Sequence, residues 1–367
     1  MESQNRPKIT QVLYSGKGGH GSVVQSLVEG DTENQFQQQF IYFGIESLDS
    51  DYKAFCETHQ IPFETILKQK GKHFSSWKLY LKSLKQQKPD FILLHSMTLI
   101  VPTIWYCWFH KAKCIAVEHQ SNQAKRKSEW IWSIFAIVFC YRIVYLTENY
   151  QSEVKRNIGI LRYSKKSVVI ANGINSDYFK PVIETEEKST FKIGMASRIN
   201  SLRDHQTLIQ AFEKLNHETQ NFELHIAGAG EGFEYLQQLV DQSKVSDRIK
   251  LHGNLNQKEM LAFYQSLQLY IHSSLAETQS TAILQAMAVG LPILASDIPG
   301  NRELIVDQET GILFEPKNAV DLVSKIEKMV QNPDLTKHLG KNARLKCENE
   351  HSAKIQFLKY AELISKA

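Results

Sequence analysis

Short apolar runs rich in β-branched residues alternate with stretches of helical periodicity along almost the whole chain, and this alternation is what most restricts its fold. The first runs are Ile9 to Tyr14, Phe40 to Gly44, Phe91 to His95, Ile115 to Glu118, Ile143 to Thr147 and Val168 to Ile170. A second series follows at Phe191 to Ala196, Glu223 to Ala227, Ile249 to His252, Leu269 to His272 and Pro292 to Ala295. A helix between successive strands returns the chain to its starting end, so the strands lie parallel and the helices cover both faces of the sheet. Two such series predict an α/β chain of two doubly wound domains in tandem. Ligands of open parallel sheets bind beyond the carboxyl ends of the strands, so the loops there are the places to look for chemistry.

Length and composition agree with two domains. At about 100 to 200 residues per domain, 367 residues hold two cores, and 42% apolar residues with only 18 Gly and 9 Pro exclude a disordered or fibrous chain. Residues 171 to 190, ANGINSDYFKPVIETEEKST, join turn chemistry to a polar acidic run and mark the connection between domains. The last segment, Ser352 to Lys366, carries Ile355, Leu358, Ala361, Leu363 and Ile364 and reads as a packed helix. Cut near residue 180, the formal charge of +4 separates into 23 basic against 15 acidic residues before the cut and 20 against 24 after it, so +8 and −4. All five Trp (Trp77, Trp105, Trp108, Trp130, Trp132) lie in the basic half, which predicts different partners for the two halves.

Several classes are set aside by the same reading. Five Cys without a Cys-x-x-Cys pair are expected to be buried free thiols of a reducing cytosol. The polar start MESQNRPK leads straight into a strand, so no secretory leader is expected. The best spanning stretch, Trp130 to Leu146, has 17 residues interrupted by Ser133 and Arg142; it falls short of the ~20 needed to cross a bilayer and divides into a helix and a strand. No nucleic-acid reading module accompanies the basic residues, so no nucleic-acid partner is expected.

Three loops carry chemistry. After the first strand, Gly16, Gly18 and Gly21 satisfy the spacing Gly-x-Gly-x-x-Gly and open a helix, a form that brings backbone N–H groups up to a phosphate. A dinucleotide fold also wants an acidic residue about 20 positions on, where only Glu46 is a distant candidate. In the second series, Arg198 and Arg203 share one loop at a strand's carboxyl end, where guanidinium groups could clamp two phosphates. Further on, Glu277 precedes a helix expected from about Ser280, and Gln285 lies one turn into it on the face of Thr281. An N-capping loop with a solvated Glu is the plainer reading of that segment.

Gly18-Gly19, Asn172-Gly173-Ile174, Arg198 with Arg203, Gly228-Ala229-Gly230, and Glu277 to Gln285 running into AMAVGLPILASDIPGNRELI resemble family 4 of the retaining glycosyltransferases, in order and across nearly the whole chain. The resemblance implies the GT-B architecture, two Rossmann-like domains facing each other across a cleft. Residues 1–175 would be the acceptor side, with helix 352–367 crossing back onto it, and residues 176–351 the nucleotide-sugar side. It implies that Arg198 and Arg203 hold the donor pyrophosphate with the amides of Ser280 and Thr281, that Glu277 meets the hydroxyls of the transferred sugar, and that Gln285 faces the ribose. Gly18 and Gly19 would close over the phosphates, His119 would lie beside the reacting sugar, and the base would sit near His252 and Gly253. Two departures stand out: Arg203-Asp204 replaces the family's Lys-Gly, and Gln285 replaces its second Glu.

The activity this implies is sugar transfer with retention from a nucleotide-sugar, expected to be a UDP-sugar, to a glycan or lipid-linked acceptor in surface polysaccharide or lipopolysaccharide assembly. No cofactor or metal is expected, the charge on the leaving diphosphate being met by Arg198, Arg203 and a helix N-terminus. The lone Asp-x-Asp, Asp49-Ser50-Asp51, sits in a polar helix start away from the donor loops. Lys78, Lys82 and Lys85 beside Trp77, Leu81 and Leu84 read as a basic amphipathic helix able to lie on an anionic membrane, reinforced by the other Trp residues, Lys111, Lys113 and Lys125-Arg126-Lys127. The expected location is cytoplasmic, peripheral at the inner face of the cell membrane. A non-catalytic binding subunit and an NAD-dependent oxidoreductase stay open as alternatives.

Overall fold

The computed structural model describes residues 6–367 apart from 17, 69–72, 121, 123–124, 159–165, 183–189 and 216–219. It divides into one compact unit of Met1–Gly173 with Ala353–Ala367 and another of Ile174–Ser352. The sequence placed the change of domain after residue 175; most of the acidic stretch of that connection, residues 183–189, lies outside the described residues.

In the first unit, β1 (Lys8–Tyr14), β2 (Gln37–Gly44), β3 (Phe63–Leu67), β4 (Phe91–Leu94), β5 (Lys113–Glu118), β6 (Arg142–Tyr145) and β7 (Ser167–Val169) form a parallel sheet. Its order is β3-β2-β1-β4-β5-β6-β7. Successive strand residues point to opposite faces. Val12, Ile92 and Leu94 meet helices His73–Gln87, Ile100–Phe109 and Lys127–Phe139, whereas Ile9, Leu93 and Ile115 meet the helix Ala353–Ser365. That last helix lies against helix Gly19–Glu29 so closely that a Cβ on Gly30 would stand 2.3 Å from the Ala353 carbonyl.

In the second unit, β8 (Phe191–Ala196), β9 (Phe222–Ala227), β10 (Ile249–Gly253), β11 (Leu269–His272), β12 (Ile293–Ser296) and β13 (Ile312–Phe314) give the parallel order β10-β9-β8-β11-β12-β13. Each sheet thus reverses its winding once, between β1 and β4 and between β8 and β11. The chain leaves those strands in opposite directions there and opens a crevice at their carboxyl ends. The loops singled out in the sequence follow β1, β8 and β11 and fall at those two reversals.

Two edge strands, β3 and β13, were not legible as strands, because an edge position pairs on one side only and needs little apolar patterning. The stretch Trp130 to Leu146 is the end of helix Lys127–Phe139 followed by β6, and among the described residues no helix is long and apolar enough to cross a membrane. Helix His73–Gln87 corrects one expectation. Its Tyr80 and Leu84 are buried and Trp77 and Leu81 pack against the same core, so most of its apolar side belongs to the sheet, while Lys78, Lys82 and Lys85 face solvent together with Leu79. All five Cys are free thiols.

Candidate functional site

The loop after β8 is fixed by its neighbours before any ligand is considered. Ser197 and Ile199 donate backbone N–H bonds to Ala227 and Ala229 at 3.0 and 2.9 Å, so this loop runs edge to edge with the one after β9. Only glycine permits that approach: Gly228 (φ +140°) and Gly230 (φ +157°) would carry Cβ atoms 1.8 and 2.1 Å from the carbonyl oxygens of Ser197 and Ile199. On its other side the loop is tied to the one after β11, through Asp204 N–H to Ser273 O and Leu275 N–H to Leu202 O. Asp204 then caps helix His205–Lys214 by accepting from the Thr207 amide at 3.1 Å. The missing glycine at 204 is therefore a helix cap at φ −86°, where a side chain costs nothing sterically.

These ties place Arg203 against Glu277. Arg203 Nη2 lies 2.8 Å from Glu277 Oε2, and Nη1 donates to Ser274 Oγ and Ala276 O at 2.9 Å each. Arg203 Nε is buried with no acceptor inside the protein. Glu277 Oε2 also meets His272 Nε2 at 3.3 Å, and its Oε1 accepts from the Thr278 amide. Burial opposes a charge on Glu277, yet Arg203, His272 and the Thr278 amide outweigh it and hold the pKa below the usual carboxylate range. Burial keeps His272 neutral despite Glu277. Its proton then sits on Nε2, donated to the carboxylate, while Nδ1 faces the Tyr270 hydroxyl at 3.1 Å.

Helix Thr281–Val289 begins directly after this loop. Ser280 caps it by accepting from the Ile283 amide, and Gly290 ends it at φ +79°. Its first-turn N–H groups have no partner within the helix and point their dipole at the same end. Gln285 is nearly buried, and its Oε1 accepts from the Tyr264 hydroxyl at 3.1 Å. Arg198 is unlike Arg203: its side chain is 58% exposed, with Glu231 at 4.0 Å from its Nε. His252 stacks on His225, with Nε2 2.8 Å from its Nδ1, and beside it the Gly253 carbonyl (φ +64°) accepts from the Gly228 amide.

In the first unit, Gly18 stands just before helix Gly19–Glu29 in extended backbone, its N–H and C=O both bonded to the Tyr52 hydroxyl. Gly21 makes room for Tyr52, whose ring would lie 2.0 Å from a Cβ there, and Gly16 makes room for Glu46. Glu46 accepts from Tyr14 at 2.8 Å. Of the three spaced glycines, two accommodate side chains of this chain; Lys17 between them lies outside the described residues. Asp49 of the Asp-x-Asp caps helix Ser50–Thr58. His119, just past β5, forms a relay with residues of three other strand regions. Its Nε2 lies 2.9 Å from His95 Nδ1, His95 Nε2 lies 3.0 Å from Gln11 Oε1, and Gln11 Nε2 donates to Gln38 Oε1. Burial and the nearby His20 push the His119 pKa down to about 3.

Comparison with known proteins finds a family model for each half of the chain. Residues 17–178 fit the model for Glycosyltransferase Family 4, and residues 179–346 fit the model for Glycosyl transferases group 1. The chain belongs to the family 4 glycosyltransferases. HepE of Anabaena, solved in complex with UDP and glucose, superposes with a TM-score of 0.84 at 18% identity, covering 98% of this chain and 100% of that one. That likeness is one of fold, GT-B. Alpha-monoglucosyldiacylglycerol synthase of Acholeplasma laidlawii is 25% identical over 309 residues, 80% of this chain and 74% of the relative. The capsular polysaccharide biosynthesis glycosyltransferase CapM of Staphylococcus aureus is 25% identical over 198 residues, 50% of each chain. Against several curated relatives the family 4 chain spans only about half of their length.

Within the second unit the structure brings Arg203, Glu277 and the Ser280–Thr281 helix start together, holds Arg198 at the exposed side of the same loop, and ties Gln285 to the core. His252 and Gly253 stand on the separate edge formed by β9 and β10. In the first unit Gly18, Gly19 and His119 follow strands β1 and β5. Several supporting residues were missed, Gln11 of the His95 relay among them. His272 and His95 stand only as the last residues of strand runs in the sequence, and Tyr264 belongs to no motif. Gly300 lies in the short helix Pro299–Arg302, where a Cβ would stand 2.3 Å from the Glu277 carbonyl oxygen. Its place in ASDIPGNRELI, after a strand and beside Pro299, was the available signal.

Proposed function

We propose that this family 4 member is a retaining hexosyltransferase, independent of metal, that moves a sugar from a UDP-sugar to a glycan or lipid-linked acceptor in surface polysaccharide assembly. The observation that carries the reading is the charged pair Arg203–Glu277, backed by His272, at the winding reversal of the second sheet and beside the start of helix Thr281–Val289. A carboxylate kept ionised in a largely buried site is suited to hold sugar hydroxyls. The Arg203 Nε, the exposed Arg198 guanidinium and the first-turn amides after Ser280 supply positive charge for a diphosphate.

In the transfer, the bond from the anomeric carbon to the diphosphate oxygen breaks and a bond to the acceptor oxygen forms on the same face. The acceptor's proton passes to the departing phosphate, so no side chain acts as nucleophile. His119, kept neutral by burial and oriented by His95, would contact the transferred sugar. The UDP and glucose bound by HepE support the donor class, and the names of CapM and of the Acholeplasma synthase support glycan and lipid acceptors.

A dinucleotide oxidoreductase is disfavoured by Glu46, which is turned to Tyr14, and by Gly21, whose free side is filled by Tyr52. The test is thermal-shift screening against UDP, GDP, ADP and their sugars, followed by assignment of the product's anomeric configuration. Stabilisation by UDP-sugars of about 2.7 kcal/mol at 100 times the dissociation constant is expected. No response to any nucleotide, or an inverted product, would sink the reading.

A further inference from the structure

Helices Ile100–Phe109 and Lys127–Phe139 pack side by side on one face of the first sheet. A surface helix ordinarily turns charged residues to water. Ile100–Phe109 contains no charged residue, and Lys127–Phe139 has none after Glu129. Their inward sides are used by the core, where Ile100, Ile104, Ala136 and Ile137 are buried. Facing outward, Trp105 is 45%, Trp108 63%, Phe109 69%, Ile131 60%, Ile134 41% and Phe139 42% exposed. Trp108 meets Phe139 edge-on at 5.7 Å and Trp105 meets Phe109 at 5.3 Å, so these side chains join into a strip across both helices. A contiguous apolar strip calls for a partner, whereas scattered exposed residues do not.

The charges around the strip are of one sign. The adjoining helix His73–Gln87 exposes Lys78, Lys82 and Lys85, while Lys111 follows one apolar helix and Arg126 and Lys127 begin the other, all exposed. Lys125 does not join them, being buried 2.8 Å from Glu118. Glu129 is taken up by the Arg126 amide and Gln120. We propose that this face docks on an anionic lipid bilayer, with the aromatic and isoleucine side chains entering the boundary between headgroups and acyl chains and the basic rim on lipid phosphates. A second copy of the chain would cover the apolar strip but would bring two basic rims together, whereas an anionic bilayer answers both features. This inference does not depend on sugar transfer; the apolar contact expected mainly from helix His73–Gln87 passes to helices Ile100–Phe109 and Lys127–Phe139, and the lysines of the first helix remain as part of the basic rim.

The test uses the intact protein and vesicles of phosphatidylcholine alone or mixed equally with phosphatidylglycerol. Expected are co-sedimentation with the mixed vesicles at low salt, a blue shift of tryptophan emission, and release at high salt. The double variant Trp108→Ala, Phe109→Ala, at two exposed positions, binds at least about tenfold more weakly. Each of Lys78→Gln, Lys82→Gln and Lys85→Gln weakens binding about fivefold. No binding to the mixed vesicles, or binding that the aromatic variant leaves unchanged, overturns the proposal. So does a dimer in sedimentation velocity that the aromatic variant dissociates.

Discussion

The Glu277 carboxylate lies 2.8 Å from the Arg203 guanidinium, with side chains only 12% and 16% exposed, whereas Arg198, five positions earlier on the same loop, is 58% exposed. The two arginines therefore make separable predictions. Removing Arg203 leaves a carboxylate largely buried without its counter-charge, so Arg203→Ala is expected to cost about 3 kcal/mol of stability as well as activity. Arg198→Ala should lower transfer about 100-fold or more by losing charge stabilisation of the diphosphate, with the melting temperature unchanged. Melting curves and turnover on the same preparations decide it; a destabilised Arg198 variant or near-normal turnover would contradict the assignment.

Much of this arrangement could be read from the sequence, and the parts that could not share a cause. The loops after β8 and β11 were found because strand, loop and helix follow one another in the chain, and Glu277 and Arg203 stand at fixed places in that order. Their mutual contact was not legible, because it depends on the bridge between Arg203 and Ser274 from two distant segments. His95 and Gln11 were missed for the same reason. The edge strand β13 has three residues, too few for any period to show. The apolar periodicity of helix His73–Gln87 was visible, but periodicity does not say whether core or membrane receives the apolar side.

A second prediction concerns His95. Its Nε2 donates to Gln11 Oε1, so Nδ1 must accept from His119 Nε2, which fixes the tautomer and orientation of His119. His95→Ala should lower kcat with little change in KM for the donor, and His95→Asn, which retains an acceptor, should recover part of the loss. Equal losses in both variants would mean that His95 serves packing alone.

The same histidines make stability depend on pH. The folded protein holds His119 at a pKa of about 3 against an ordinary 6.5, so between those values the unfolded chain binds more protons. This contribution is full above pH 6.5 and is lost as pH falls toward 3. His95, lowered in the same direction by burial, adds to it. The fall in melting temperature on going from neutral to acid pH should be smaller in His119→Gln than in the unaltered protein; an equal fall would place the titration elsewhere.

Gly300 tests how tightly the Glu277 loop is held. A Cβ there would stand 2.3 Å from the Glu277 carbonyl oxygen, backbone against backbone, so Gly300→Ala must push the loop that carries the carboxylate. Displacements of about 1 Å at a reacting site cost on the order of 100-fold in rate. Turnover should fall by that order while nucleotide-induced stabilisation falls less. Unchanged turnover would show that the loop yields without consequence.

Gln285 offers the last prediction. Its Oε1 already accepts from the Tyr264 hydroxyl at 3.1 Å, and a glutamate could accept the same bond, so Gln285→Glu keeps the local packing. The change adds a negative charge one turn into helix Thr281–Val289, and if the position faces the ribose, as proposed, a carboxylate accepts from two hydroxyls more strongly than an amide. UDP should then bind several-fold more tightly by calorimetry, while the buried charge lowers the melting temperature of the unliganded protein. Weaker UDP binding with the fold intact would mean that Gln285 does not face the ribose.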